Sequence, residues 1–135
     1  MIDTHCHIDD PQYTEGLDAF LAEQRQDGVE AILVPGVDKT SVKDVLEVCI
    51  LYPDYLFPAL GLHPENVKED WREQLATIKA AVDKSLASTP YTLHPTLRHS
   101  RLIAIGEIRL DYHWDLSFKE QQHEALREQM RWAEQ

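Results

Sequence analysis

The sequence of 135 residues is poor in several features, and each shortage excludes a class of protein. Its two cysteines, Cys6 and Cys49, are too few for a disulfide framework, and we expect Cys6 to be a buried thiol rather than a metal ligand. No apolar stretch approaches the roughly 20 residues that a membrane-spanning helix needs. The first residues do not combine a basic segment with an apolar run, so we expect no signal peptide and a cytoplasmic protein.

Basic residues are also scarce, since 13 lysines and arginines stand against 24 acidic residues and the net charge is −11. Capture of a nucleic-acid backbone depends on a basic surface. We therefore expect weak or local nucleic-acid contact, without an extended basic groove. Phosphodiester chemistry is not excluded, because bound cations reverse the sign of the field inside a small site. The sequence contains no Gly-x-Ser-x-Gly elbow and no glycine-rich phosphate loop.

Apolar runs typical of strands alternate four times with amphipathic segments typical of helices. We predict strands over residues 1–8, 31–34, 55–61 and 102–108. We predict helices over 14–27, from a cap at Asp38 or Thr40 to residue 51, over 67–87, and onward from a capping box of Ser117 and Glu120. Such alternation produces a parallel sheet with right-handed crossovers. The predicted fold class is thus α/β, with residues 1–135 as a single domain.

The opening segment carries two histidines in the run Asp3-Thr4-His5-Cys6-His7. In a strand, residues two apart share a face, so His5 and His7 would project together, about 6–7 Å apart, in phase with Asp3 and Asp9. Two imidazoles on one face suit zinc, iron and related metals, and added carboxylates widen the choice towards manganese and magnesium. A pair of structural histidines is the alternative.

Two further predicted strands end in polar residues. Glu107 follows the apolar run at 102–105 and Gly106, and Asp111 lies four residues further on. His63 likewise follows an apolar run that ends at Gly61. The carboxyl ends of parallel strands meet at one edge of a sheet, where active sites of such folds lie. Three strand ends with His or Glu therefore predict one shared site, and ordinary solvated acids are the alternative.

Taken together, these motifs resemble the TatD family of metal-dependent hydrolases. The matching segments are Ile2–Asp9, Gly61–Glu65 and Ala104–Tyr112, followed by Gln121-Gln122 at the start of the last helix. The resemblance implies a TIM-type barrel and a site with one or two divalent metal ions, with zinc, magnesium or manganese as candidates. It also implies hydrolysis of DNA or another phosphodiester substrate, since several family members are deoxyribonucleases.

The resemblance implies roles for individual residues. His5 and His7 would be ligands of one metal, and Glu107 would ligate one ion or bridge two. His63 would lie at the site without binding metal directly, and Asp111 or His63 would orient water or substrate. Arg109 stands where the family usually has glycine. Its guanidinium could close the cleft or hold a substrate phosphate.

A complete (β/α)8 barrel has about 250 residues, so this chain corresponds to the first half of one, with four β/α units. The family's further ligands, two histidines and an aspartate, come from later strands, and His94 and His99 do not match them in context. Because the first and fourth strands would be open edges, a homodimer that completes the barrel is one hypothesis. The alternative function is a truncated, catalytically incomplete barrel half that acts as a non-enzymatic remnant or interaction module. A PHP-type phosphoesterase or another amidohydrolase fits the motifs less well.

Overall fold

The computed structural model describes residues 1–13, 15–87, 101–113 and 115–135. Within these residues four strands alternate with four helices: β1 (Ile2–Asp3), α1 (Leu17–Gln26), β2 (Ala31–Pro35), α2 (Ser41–Leu51), β3 (Leu56–Leu60), α3 (Trp71–Ala87), β4 (Ala104–Ile105) and α4 (Lys119–Ala133). Single turns of 3-10 helix lie at Pro11–Tyr13 and Pro64–Asn66. The predicted loop at 88–100, with His94 and His99, lies outside the described residues.

The described strands form one parallel sheet in the order β1-β2-β3-β4. Ile2 pairs with Ala31, Val34 with Pro58, and Leu60 with Ile105. Each strand thus lies beside the next one along the chain, as in a TIM-type barrel. The predicted α/β fold, a parallel (β/α)4 half-barrel, is confirmed, and its completion by a second copy stays a prediction.

Both edge strands are much shorter than predicted. β1 ends at Asp3 rather than residue 8, because the Asp3 carboxylate accepts a hydrogen bond from the His5 backbone N–H at 3.0 Å. This turn of the aspartate side chain onto its own backbone bends the chain out of the strand. β4 ends at Ile105 rather than residue 108. Its continuation crosses the end of β3, and the Glu107 N–H bonds to the Gly36 carbonyl beyond β2.

The apolar faces of the helices pack on the sheet as their periodicity predicts. In α3, the stripe of Trp71, Leu75, Ile78 and Val82 is buried. Burial of these side chains supplies the hydrophobic free energy that holds α3 against the sheet. Among the described residues, no helix is long and apolar enough to cross a membrane.

The last helix differs from its prediction. The capping box of Ser117 and Glu120 is wrong, because α4 begins after Phe118 and has no side-chain cap. Met130 is 54% exposed. The buried face instead consists of Gln122, Ala125, Gln129 and Trp132. Its two glutamines are buried because they bond backbone groups near the candidate site, as described below.

Candidate metal centre

The structure brings together the three predicted metal ligands, His5, His7 and Glu107. The two histidine Nε2 atoms lie 3.1 Å apart. Glu107 Oε2 lies 3.3 Å from His5 Nε2 and 3.9 Å from His7 Nε2. One ligand atom from each residue therefore lies within 4.8 Å of the others. The expected 6–7 Å between the histidines is wrong, because both lie beyond the end of β1.

Backbone hydrogen bonds fix the histidine segment against the sheet. The Cys6 N–H donates to the Leu33 carbonyl of β2 at 3.1 Å, and the Cys6 side chain packs on the core. Cys6 is only half-buried, so the expectation of a fully buried thiol is partly wrong. Burial raises the pKa of the Cys6 thiol, and the nearby charges of Asp3 and Asp9 add to this shift. Because the thiolate is the form that binds metal, a raised pKa disfavours Cys6 as a ligand.

Glu107 reaches the centre because Gly61 permits a close approach of two backbone segments. A Cβ atom on Gly61 would lie 2.8 Å from the Gly106 carbonyl carbon and 2.9 Å from Ile108 Cγ2. The Gly106 N–H donates to the Leu60 carbonyl at 3.1 Å, and the Glu107 N–H to the Gly36 carbonyl at 2.9 Å. This crossing brings the Glu107 carboxylate from the end of β4 towards the segment that follows β1.

The donor set fits a divalent metal ion. At metal–ligand bonds of about 2.1 Å, neighbouring ligand atoms of a tetrahedral or octahedral ion are roughly 3.0–3.4 Å apart. The 3.1 Å and 3.3 Å separations lie in that range, and the third, 3.9 Å, needs a small movement of His7. The side chains of His5 and His7 are 51% and 41% exposed. One face of a bound ion would therefore stay open to water or substrate, as in catalytic sites.

Asp9 lies near the second ring nitrogen of His7, Nδ1. Its Oδ1 atom is buried, has no hydrogen-bond partner among the described residues, and lies 4.0 Å from His7 Nδ1. Burial raises the pKa of the Asp9 carboxyl. A histidine that binds metal through one ring nitrogen commonly donates the other N–H to a carboxylate. His7 Nδ1 is the nearest ring nitrogen that could become this partner, and the sequence pattern predicted the phase of Asp9 but no role for it.

His63 lies on the other side of the Glu107 carboxylate. It is buried, and its Nε2 atom lies 3.2 Å from Glu107 Oε1. Its Nδ1 atom accepts a hydrogen bond from the Glu65 backbone N–H at 3.3 Å. The same Nε2 atom lies 3.1 Å from Arg109 Nε, so His63 contacts both Glu107 and Arg109, and it lies outside the set of three ligand atoms.

Arg109 and Asp111 complete the surroundings of Glu107. Arg109 Nε lies 3.6 Å from Glu107 Oε1 and 3.1 Å from His63 Nε2, and Arg109 Nη2 lies 3.3 Å from Asp111 Oδ2. The guanidinium therefore contacts the two carboxylates and the His63 ring. Asp111 faces Arg109 rather than His5 and His7, and its predicted contact with water or substrate stays a prediction.

Two glutamines that sequence reasoning did not place at the site hold its loops to α4. Gln129 is 1% exposed, and its amide bonds both the N–H and the carbonyl of Leu62, at 2.6 Å and 3.3 Å. Gln122 accepts a hydrogen bond from the Asp111 N–H at 3.0 Å. Their spacing of seven residues puts both amides on one face of the helix. This seven-residue spacing is the sequence signal that could have placed both glutamines on the buried face of α4. It is a weak signal, because polar residues repeated along a helix usually indicate its exposed face.

An open cavity of about 420 Å³ lies next to Asp111. Its lining comprises Pro64, Glu65, Val67, Lys68, Asp111, Asp115, Phe118 and Gln122. Tyr112 and His113, which follow Asp111 in the sequence, are not in this lining. Trp114 lies outside the described residues. The Tyr112 hydroxyl instead pairs with His123 Nε2 at 2.6 Å.

Comparison with known proteins places this arrangement in a family. The family model described as "TatD related DNase" matches residues 2–135. The chain is 33% identical to "Uncharacterized metal-dependent hydrolase YabD" of Bacillus subtilis, over 100% of this chain and 47% of that protein. It is 26% identical to "3'-5' ssDNA/RNA exonuclease TatD" of Edwardsiella piscicida, over 100% of this chain and 46% of that protein.

Comparison with solved structures agrees. The crystal structure of the TatD homologue YjjV from Escherichia coli K12 superposes with a TM-score of 0.79 and 32% identity, over 98% of this chain and 46% of that one. The chain thus spans about half the length of the curated relatives it matches. The half-barrel corresponds to part of that relative's fold, and the chain belongs to the family of TatD-related DNases.

Proposed function

We propose that this chain carries the metal-binding part of a TatD-type hydrolase that cleaves phosphodiester bonds, with DNA as the expected substrate. The observation that carries the proposal is the convergence of His5, His7 and Glu107 at the carboxyl ends of the parallel strands. Relatives named as a metal-dependent hydrolase and as a 3'-5' ssDNA/RNA exonuclease support the reaction class.

The ligands and their supports follow from the contacts. His5 and His7 would hold the metal through Nε2, and Glu107 through Oε2, because these atoms face one another. Imidazole with carboxylate suits zinc and manganese and admits magnesium. When bound, a divalent ion polarises a phosphoryl oxygen and lowers the pKa of a coordinated water. Asp9 would fix the ring orientation of His7, as carboxylates do behind metal-binding histidines.

The residues on the Oε1 side of Glu107 act on its orientation. His63 Nε2 and Arg109 Nε both lie against Oε1, and these contacts would leave Oε2 facing the two histidines. A carboxylate fixed in this way needs little reorganisation when a reaction occurs, which is the basis of electrostatic preorganisation. Asp111, whose backbone N–H donates to the Gln122 side chain, would accept a proton or orient a water at the edge of the cavity.

The proposal is tested by incubating the purified chain with a labelled single-stranded DNA oligonucleotide in manganese, magnesium or chelator. We expect cleavage that depends on the metal and is lost in His5→Ala and in Glu107→Ala. The matched controls are His123→Ala on α4 and Glu47→Ala on α2, which change the same residue types away from the site. Cleavage that persists in the two site variants, or that is absent from the unchanged protein, contradicts the proposal.

The second candidate function is a truncated, catalytically incomplete barrel half that acts as a non-enzymatic remnant or interaction module. The observation in its favour is that apolar side chains at the sheet edges are exposed, since Ile2 of β1 is 63% exposed and Ile103, directly before β4, is 53% exposed. Exposed apolar edges are sites of strand pairing between chains. Light scattering coupled to gel filtration decides this point, since a stable monomer at micromolar concentration would eliminate the homodimer.

A further inference from the structure

The two oxygens of Glu107 contact different kinds of partner. Oε2 faces His5 Nε2 at 3.3 Å and His7 Nε2 at 3.9 Å. Oε1 faces His63 Nε2 at 3.2 Å and Arg109 Nε at 3.6 Å. A carboxylate that bridges two metal ions offers one oxygen to each. Among the residues that the structure describes, only the Oε2 side is lined by two histidines that are open to a metal ion.

The Oε1 side already holds a fixed positive charge. The guanidinium of Arg109 lies between Glu107 Oε1 and Asp111 Oδ2, which is 3.3 Å from Nη2. Arginine does not lose its proton in proteins, so this charge cannot be removed by a change in pH. A second divalent ion against Oε1 would have to displace the guanidinium from both carboxylates.

The atoms around the guanidinium are themselves metal donors. A histidine nitrogen (His63 Nε2), and carboxylate oxygens of Glu107 and Asp111, lie 3.1–3.6 Å from the nitrogens of Arg109. Imidazole and carboxylate are the groups that bind divalent ions of this kind. Shortening the side chain at position 109 would therefore expose three donors that now surround a cation of the protein itself.

We propose that Arg109 limits the candidate metal centre to one divalent ion, because its guanidinium occupies the position of a second cation against Glu107 Oε1. This inference rests on the proposed function, since it assumes that His5, His7 and Glu107 bind metal. It assigns Arg109 a role in metal stoichiometry rather than in closing the cleft or holding substrate.

The test measures the number of bound ions and not turnover. The purified protein is equilibrated with manganese, and bound metal is determined by elemental analysis and electron paramagnetic resonance. We expect one Mn²⁺ per chain with the spectrum of an isolated ion. Arg109→Gly should bind a second Mn²⁺ and show spin coupling between two neighbouring ions. Arg109→Lys keeps a cation at this position and should retain one ion.

The possible failures are distinguishable. An unchanged protein that binds two coupled ions overturns the role of Arg109 and leaves the proposed function standing. The role of Arg109 is also overturned if Arg109→Gly binds only one ion while its circular dichroism is unchanged. If neither the unchanged protein nor His5→Ala binds Mn²⁺, the proposed function is overturned, and this inference fails with it. Arg109 is 51% exposed, so its replacement should not unfold the domain.

Discussion

Replacing Gln129 by methionine should destabilise the domain far more than a usual polar substitution. The side chain is 1% exposed, and its amide bonds both polar groups of Leu62, accepting from the N–H at 2.6 Å and donating to the carbonyl at 3.3 Å. Methionine has a similar length and leaves no large cavity. The main cost is therefore the loss of both hydrogen bonds inside the protein.

The magnitude follows from the two groups left without partners. A buried backbone donor or acceptor without a hydrogen bond costs about 1–3 kcal/mol. The short bond to the N–H should lie high in that range and the 3.3 Å bond to the carbonyl low. We expect the free energy of unfolding of Gln129→Met to fall by about 2–4 kcal/mol.

Urea denaturation followed by circular dichroism measures this difference. The matched control is Gln121→Met, which makes the same substitution at a partly exposed position of α4, and should change stability by no more than about 0.5 kcal/mol. Because Leu62 precedes His63, metal affinity should also fall in Gln129→Met and stay unchanged in the control. A loss of stability no larger than that of the control would refute the reasoning.

Three further predictions concern other parts of the chain. Gly61→Ala should destabilise the domain by about 1–3 kcal/mol in thermal unfolding, because the alanine Cβ would lie 2.8 Å from the backbone of Gly106. An unchanged melting temperature would contradict this close approach. Burial alone would raise the pKa of the Asp38 carboxyl, but hydrogen bonds from Ser41 and Thr40 lower it. A lowered pKa stabilises the fold above the unfolded value of about 3.9, and this contribution is lost on further acidification. Asp38→Asn should therefore lose less stability than the unchanged protein between pH 6 and pH 3, as urea midpoints would show. Burial raises the pKa of Cys49 to about 12, so mass spectrometry should find this thiol unmodified by iodoacetamide at pH 8 until the protein unfolds.

The sequence allowed the order of elements to be predicted because local patterns control it. The apolar stripe of α3 and the alternation of apolar runs with amphipathic segments depend on the chain's own periodicity. Strand lengths could not be predicted in the same way. β1 ends where the Asp3 side chain bonds the His5 N–H, and β4 ends where the Glu107 N–H bonds Gly36, far away in sequence.

The candidate site, too, could be predicted from the sequence only in part. The rule that parallel strands end at one edge predicted that His5, His7 and Glu107 would meet, and they do. The distances between their atoms could not be predicted, because the histidines lie in a turn rather than in a strand. The clamp of Gln129 on Leu62 joins residues 67 positions apart. It depends on how α4 docks, which no local pattern contains.

The most direct test of the metal centre is X-ray absorption spectroscopy of the zinc-loaded protein at the zinc edge. Scattering from imidazole rings should give two histidine ligands, together with oxygen from Glu107 and solvent. In His7→Ala the number of imidazoles should fall to one. Zinc bound without imidazole, or a spectrum that is unchanged in His7→Ala, would contradict the claim that the histidines after β1 and Glu107 hold a single cation.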